Sequence, residues 1–196
     1  MEKEVLEEKN RKIYILISKT QTMPSKIIKL WTKEPYAHTS LAMDIELREM
    51  YSFARKGIHN PFNCGFIYEN IETGIFGRDT DTTCVVFELG ITEEQYENLQ
   101  NELEKFKSNV KKFRYNYWGI VGVMANKAIE REYNFFCSQF VATVLQRAGI
   151  NIIDKEPGLV RPEDFRRCKK LKVVYKGLLN CYRGYLKANK IYSTNV

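Results

Sequence analysis

The stretch of sequence that most constrains the fold is NFFCSQFVATVLQRAGI, residues 134–150. Asn134 can cap a helix predicted over Phe135–Ala148, and Gly149 stands where helices often end in a left-handed glycine. Cys137 falls in the first turn, on the apolar face of this helix. We therefore expect a late amphipathic helix that packs on a core and carries a cysteine near its N-terminus.

The location of Cys137 has a chemical consequence. A helix N-terminus carries about half a positive charge and unpaired backbone N–H groups, and both favour a thiolate, the nucleophilic form of the sulfur. The same N–H groups can hydrogen-bond the oxyanion that forms when a carbonyl is attacked. Buried free cysteines are common in protein cores, so helix position alone favours a structural cysteine. A catalytic interpretation needs a base nearby.

The other four cysteines carry no sign of a shared disulfide or metal site. None of the five belongs to a CxxC pair, and the closest spacing is 13 residues, from Cys168 to Cys181. The odd count favours free thiols, and only two histidines accompany them, which argues against zinc. We predict no metal, no cofactor, and a structural place for the remaining thiols: Cys64, Cys84, Cys168 and Cys181.

Short apolar runs elsewhere predict the strands of a sheet. Five runs have this character: Ile13–Ser18, His38–Met43, Glu49–Ala54, Thr83–Leu89 and Leu171–Tyr175. The second and third are expected to form a hairpin, with its turn at Asp44–Arg48.

Capping residues predict three further helices. Ser25 can cap Lys26–Thr32, Thr92 and Gln95 form a capping box, and Pro162 suits the first turn of Glu163–Arg167. Strands and helices do not alternate regularly along the chain. This pattern predicts an α+β fold, in which a mostly antiparallel sheet packs against helices.

Two segments resist this assignment. Residues 55–80 are rich in glycine, asparagine and aromatic residues, which predicts a long ordered loop with short strands. Long loops inside compact domains are often functional, so we expect Arg55–Gly77 to form a wall or lid of a substrate cleft. Tyr115–Ala125 is apolar and contains glycine, and its pattern predicts no particular element.

Two histidines are available as a base for Cys137. His38 opens a predicted strand and shares a face with Ser40 and Ala42, whose small side chains leave room for a helix terminus. His59 lies in the loop segment, where a solvated histidine is expected. His38 is therefore the candidate base.

A third group usually orients a catalytic histidine and sets its tautomer. Glu49 stands at the start of the strand predicted to pair with the His38 strand, so the hairpin can place it beside His38. Ser52 and Asp44 are alternatives.

The order of these residues resembles a known family. The segments YAHTSLAMD (36–44), ELREMYSFARKG (46–57), NFFCSQFVATVLQRAGI (134–150) and PGLVRPEDF (157–165) are similar to the circularly permuted NlpC-type cysteine hydrolases. These are papain-like enzymes whose catalytic helix follows the histidine strand, and they include bacterial YiiX-type proteins and the lecithin:retinol acyltransferase group. The resemblance covers residues 12–178.

The resemblance implies a permuted papain-like fold and a chemistry. Cys137 would be the nucleophile, His38 the general base and acid, and Glu49 the orienting group, with the Cys137 N–H as one oxyanion donor. Attack on an amide or ester carbonyl would give a thioester, which water or another acceptor releases. Substrates across the group range from cell-wall peptides to lipid acyl esters, so a small peptide, amide or acyl ester is expected here.

Composition sets the class of protein. The chain of 196 residues is 44% hydrophobic, which suits one globular domain over 1–196 and excludes a disordered chain. Its apolar runs are far shorter than the roughly 18 residues of a membrane span, and the N-terminus is charged where a signal peptide is apolar. We expect a cytoplasmic protein.

The net charge of +7 is concentrated near the end. Nine Lys or Arg and no Asp or Glu lie between Arg166 and Val196, so residues 179–196 are predicted to form a basic C-terminal segment. No nucleic-acid-binding motif accompanies the charge, and nucleic acid is an unlikely partner. A rival interpretation is a non-catalytic binding module of the same fold that docks an anionic partner through this segment, with weak membrane-surface contact as one form.

Overall fold

The computed structural model describes residues 10–19, 35–56 and 63–191. Its strands are β1 Arg11–Ser18, β2 His38–Ala42, β3 Met50–Arg55, β4 Cys64–Glu69, β5 Thr83–Ile91, β6 Arg114–Tyr115, β7 Asn134–Phe135 and β8 Lys172–Leu178. Its α-helices are α1 Glu93–Lys107, α2 Tyr117–Met124, α3 Cys137–Arg147, α4 Pro162–Arg167 and α5 Tyr182–Ala188. Short 3₁₀ turns lie at Pro157–Leu159 and Leu179–Cys181.

The main sheet of the described chain has the strand order β4-β3-β2-β1-β5-β8, and every neighbouring pair is antiparallel. A separate short pair, β6 and β7, is parallel. The predicted α+β class, with a mostly antiparallel sheet packed against helices, is confirmed.

Both faces of the sheet are covered, which explains why β1 is apolar on both sides. Ile13, Ile15 and Ile17 point into a core shared with α1 and α3, while Tyr14 and Leu16 point into a second core shared with α5. A central strand buried on both faces is expected to be a continuous apolar run. The His38 strand β2 lies beside β1 and therefore sits in the middle of the molecule.

The predicted hairpin is confirmed. Strand β2 pairs with β3 through Leu41↔Tyr51 and Ala42↔Met50. The turn is closed by a hydrogen bond from Met43 N to Glu49 O, 3.0 Å. The Asp44 carboxylate accepts hydrogen bonds from two backbone N–H groups of this turn.

The predicted signals at the ends of three helices are confirmed. Thr92 and Gln95 form the predicted capping box of α1, Pro162 is the first residue of α4, and Gly149 follows α3 with φ of +76°. The start of α3 differs from the prediction. Asn134 does not cap it, because residues 134–135 form β7 against β6, and the helix begins at Cys137.

Residues 55–80, predicted to form a long loop with short strands, contain the strand β4. Tyr115–Ala125, for which the sequence pattern predicts no element, contains α2. The helix predicted over Lys26–Thr32, its cap Ser25, and His59 lie outside the described residues. Within the described ranges, no helix has both the length and the apolar character needed to cross a bilayer.

Candidate active site

The start of α3 is held rigidly by polar side chains. The Gln139 side chain accepts a hydrogen bond from Phe136 N at 3.4 Å, and Asn116 Nδ2 donates to the same oxygen at 3.3 Å. Ser138 Oγ donates to Val160 O at 2.7 Å. Cys137 is the first residue of the helix and is 2% exposed. Its backbone N–H has no acceptor within the helix, as for any first residue.

The structure brings His38 to this cysteine. The two residues are far apart in the chain, yet the His38 ring hydrogen-bonds the Cys137 side chain. His38 is 6% exposed, and its ring lies 6.1 Å from the ring of Phe76. Nucleophile and base candidates therefore meet in a nearly water-free place.

A carboxylate holds the other side of the ring, and it belongs to Glu69. Glu69 Oε1 lies 2.8 Å from His38 Nε2, and both side chains are 7% exposed. Ser40 Oγ donates to Glu69 Oε2 and lies 3.3 Å from His38 Nε2. His38 therefore has three side-chain partners, Glu69 and Ser40 at Nε2 and the Cys137 thiol.

The prediction that the hairpin places Glu49 beside His38 is wrong. Glu49 lies at the turn, whereas His38 starts β2 at the opposite end of the hairpin. The Glu49 carboxylate accepts from Tyr51 Oη and, at 3.3 Å, from Lys107 Nζ.

The two alternatives for the third residue also have other partners. Ser52 Oγ donates to Thr39 O at 2.7 Å, and the Asp44 carboxylate binds backbone N–H groups of its own turn.

Sequence reasoning missed Glu69 because the predicted loop with short strands gave neither bounds nor register for a strand here. Glu69 ends the edge strand β4, which pairs with β3 in the register Met50↔Glu69 and Phe53↔Phe66. The signal was the run CGFIYE, where aromatic and β-branched residues precede an acid and then Asn70. Pairing with Met50 places Glu69 on the sheet face that Ser40 and His38 share, and its side chain reaches both.

The His38–Glu69 pair sets the charge of the site. Burial by itself lowers the pKa of His38, but the Glu69 carboxylate and the hydrogen bonds to Cys137 and Glu69 outweigh it and raise the pKa to about 10. The imidazolium is therefore the stable form at neutral pH.

The other four cysteines, all within the described residues, form no disulfide. Burial raises the pKa of Cys64 and raises that of Cys84 to about 12, so neither thiol ionises readily. Cys168 Sγ lies 3.3 Å from Ile152 O, and Cys181 is exposed.

A cavity of about 420 Å³ opens beside the site carboxylate. Its lining residues all fall between Arg55 and Phe76, and Glu69 is one of them. Aromatic and aliphatic side chains of β4 form much of its wall, and Arg55 and Lys56 stand at its edge. A larger cavity, about 790 Å³, is lined by Gln139 and by charged residues such as Glu130, Arg147 and Lys155. Neither cavity is lined by Cys137 or His38; the smaller one includes Glu69, which binds His38.

Over 10–19, 35–56 and 63–191, no group of three or more His, Cys, Asp or Glu side chains is arranged to hold a metal ion.

Comparison with known proteins finds similarity in fold and none in sequence family. No protein-family model matches this chain, and no curated protein matches its sequence. Among solved structures, the chain is similar to the metalloprotein YiiX from Escherichia coli O157:H7, with a TM-score of 0.56 and 17% sequence identity. The match covers 86% of this chain and 98% of that one. At this identity the similarity shows a YiiX-like fold and no more.

Proposed function

We propose that this protein is a cysteine-dependent hydrolase or acyltransferase of permuted papain-like type, which cleaves an amide or ester through a thioester. One observation carries the proposal: Cys137, at the first position of a helix, contacts His38, and Glu69 binds Nε2 of the same ring. A nucleophile, a base and an orienting acid in hydrogen-bonded sequence are the recurring parts of such enzymes. The YiiX-like fold supports this reading at the level of architecture.

The proposed reaction has two halves. The Cys137 thiolate adds to the substrate carbonyl, and the backbone N–H of Cys137 donates a hydrogen bond to the oxyanion. The tetrahedral intermediate collapses, the bond to the leaving group breaks, and the His38 imidazolium gives that group its proton. His38, now neutral, removes a proton from water or an acceptor hydroxyl or amine, which attacks the thioester and frees Cys137.

Glu69 has two tasks in this scheme. Its bond to Nε2 orients the ring, and its charge stabilises the imidazolium that forms in each half-reaction. Ser40 holds the second carboxylate oxygen and fixes the angle of Glu69.

The cavity lined by Arg55–Phe76 is the proposed substrate cleft. It borders Glu69 and Phe76, which both touch or face His38. Its aromatic walls suit an apolar or peptide substrate, and Arg55 and Lys56 suit a group with negative charge at one end. A small peptide, amide or acyl ester fits this description. The sequence-based expectation that Arg55–Gly77 forms a wall of the cleft is part of the same proposal.

Thiol labelling tests the proposal directly. We expect iodoacetamide at about pH 6, followed by peptide mass spectrometry, to modify Cys137 before the exposed Cys181. Exposure alone gives the opposite order, so preference for Cys137 requires an activated sulfur. His38→Ala removes the cation beside the sulfur and should remove most of the preference. Labelling that follows exposure in the wild type would contradict the proposal and favour a binding module.

A further inference from the structure

Helix α2 leaves a large part of its apolar surface uncovered. Ile120 and Val123 are buried against the core, but Trp118 is 59% exposed and Val121 50%. Tyr117 at 37% and Met124 at 39% extend the same surface. We call these four exposed residues the α2 surface: Tyr117, Trp118, Val121 and Met124. Contiguous exposed apolar groups of this kind mark interaction sites more often than isolated ones do.

The charges near the α2 surface are mostly positive. Residues 111–132 contain five Lys or Arg and two acids, Glu130 and Glu132, and the cations closest to α2 in the chain are Lys111, Lys112, Arg114 and Lys127. All four are exposed, and none forms an ion pair with another described residue. Elsewhere on the surface many cations are neutralised, as in Arg147–Glu102 and Lys155–Asp164. A partner for this surface must therefore be both apolar and anionic.

We propose that the α2 surface docks on an anionic lipid bilayer. Trp and Tyr rings favour the boundary between headgroups and acyl chains, where Val121 and Met124 can also bury. Lys and Arg around them meet lipid phosphates and anionic headgroups. The α2 surface extends along about two turns of helix, which can lie in the plane of the membrane.

A second copy of the chain fits less well. A symmetric dimer through the α2 surface would place the same patch on both sides of the interface. The net positive charge of this region in one copy would then face the same charge in the other. Charge complementarity therefore favours lipid over self-association.

The α2 surface adjoins the candidate active site without sharing its residues. Asn116, the N-cap of α2, donates from its backbone N–H to Phe135 O at 3.0 Å, just before Cys137. The docking proposal stands on exposure and charge and does not depend on the proposed chemistry.

Vesicle binding tests the proposal with the full chain. The chain has two tryptophans, so Trp31→Phe leaves Trp118 as the reporter. We expect vesicles of phosphatidylcholine with about 30% phosphatidylglycerol to shift Trp118 emission to the blue and to co-sediment the wild-type protein. Pure phosphatidylcholine vesicles should do so at least tenfold less, and added salt should weaken binding.

Two variants and a matched control locate the contact. Lys111→Gln/Lys112→Gln/Arg114→Gln and Trp118→Ser/Val121→Ser should each lower the vesicle partition coefficient about tenfold or more. Lys169→Gln/Lys172→Gln/Lys176→Gln removes the same charge from exposed positions after α4 and on β8, and should lower it no more than about threefold. Far-ultraviolet circular dichroism checks that each variant folds.

Three results would overturn the proposal. One is no binding of the wild type to anionic vesicles. Another is an equal or larger loss of binding in the control variant, which would place the contact at the lysines after α4 and on β8. The third is a dimer in light scattering without vesicles that Trp118→Ser/Val121→Ser dissociates, which would assign the α2 surface to self-association.

Discussion

At the scale of single residues, one substitution at Glu69 and a matched one at Glu49 measure the role of the carboxylate beside His38. Glu69→Gln keeps the shape of the side chain but removes the charge that stabilises the His38 imidazolium, so kcat/KM on a p-nitrophenyl ester should fall about 10²-fold or more. Glu49→Gln changes a half-exposed carboxylate at the hairpin turn, where its partners are Tyr51 and Lys107, and should stay within about twofold of wild type. Equal effects of the two changes would remove Glu69 from the mechanism.

The same ion pair predicts a pH dependence of stability. The pKa of His38 is raised in the folded state to about 10 from an ordinary value of 6.5, so the folded protein binds this proton more tightly than the unfolded chain. The stabilisation is therefore complete below about pH 6.5 and is lost as the pH rises toward 10. Urea unfolding should find wild type more stable than Glu69→Gln by about 1–3 kcal/mol at pH 6, with the gap narrowing by pH 10.

The comparison with Glu69→Gln isolates this effect. The five thiols of the unfolded chain also ionise between pH 8 and 10, but they do so in both proteins and cancel in the difference. A gap that stays constant or widens with pH would show that His38 is neutral in the folded protein.

At the scale of single elements, we expect replacement of glycine by alanine to have opposite effects on stability at two positions. Gly149 ends α3 with φ of +76°, where an L side chain is strained even though nothing lies within 4 Å of an added Cβ. Gly149→Ala should lower the free energy of unfolding by about 1–2 kcal/mol. Gly184 lies inside α5, also in open space, and Gly184→Ala should raise it by up to about 1 kcal/mol. Urea unfolding measures both, and a stabilising Gly149→Ala would contradict the left-handed helix end.

At the scale of the whole molecule, α5 shows how the end of the chain completes the second core. Tyr182 is fully buried on the sheet face opposite α1 and α3, and its hydroxyl donates to Ile45 O at 2.7 Å. Tyr182→Ala should therefore cost about 3–5 kcal/mol of stability and Tyr182→Phe about 1 kcal/mol. Lys187→Gln, an exposed change on the same helix, should stay within about 0.5 kcal/mol.

Comparing the two substitutions tests whether α5 stabilises the protein by packing or by charge. If α5 acted only through its charge, Lys187→Gln would lower the free energy of unfolding more than Tyr182→Ala. The packing of Tyr182 and Leu186 predicts the reverse order.

The sequence by itself determined the features whose causes are local. The capping box of Thr92 and Gln95, the end of α3 at Gly149 and the β2–β3 hairpin each depend on residues a few positions apart. The apolar run of β1 also predicted a buried strand, although its burial comes from both cores of the fold. At the capping box, the helix end and the hairpin, the free energy that selects the structure comes from neighbours in the chain, so the pattern is visible without the fold.

Only the tertiary structure decided which acid meets His38. Glu49 and Glu69 are both glutamates near strand ends, and local sequence does not distinguish them. The β3–β4 register places Glu69 opposite Met50, on the face of the sheet that Ser40 and His38 share, and the Glu69 side chain reaches both residues. Glu49 lies in the turn at the same end of the hairpin and binds Tyr51 and Lys107 instead. The start of α3 was decided the same way, since pairing of β7 with β6 displaced the predicted Asn134 cap. Strand pairing and burial are gained between distant segments, and such contacts outweigh local propensity wherever the two compete.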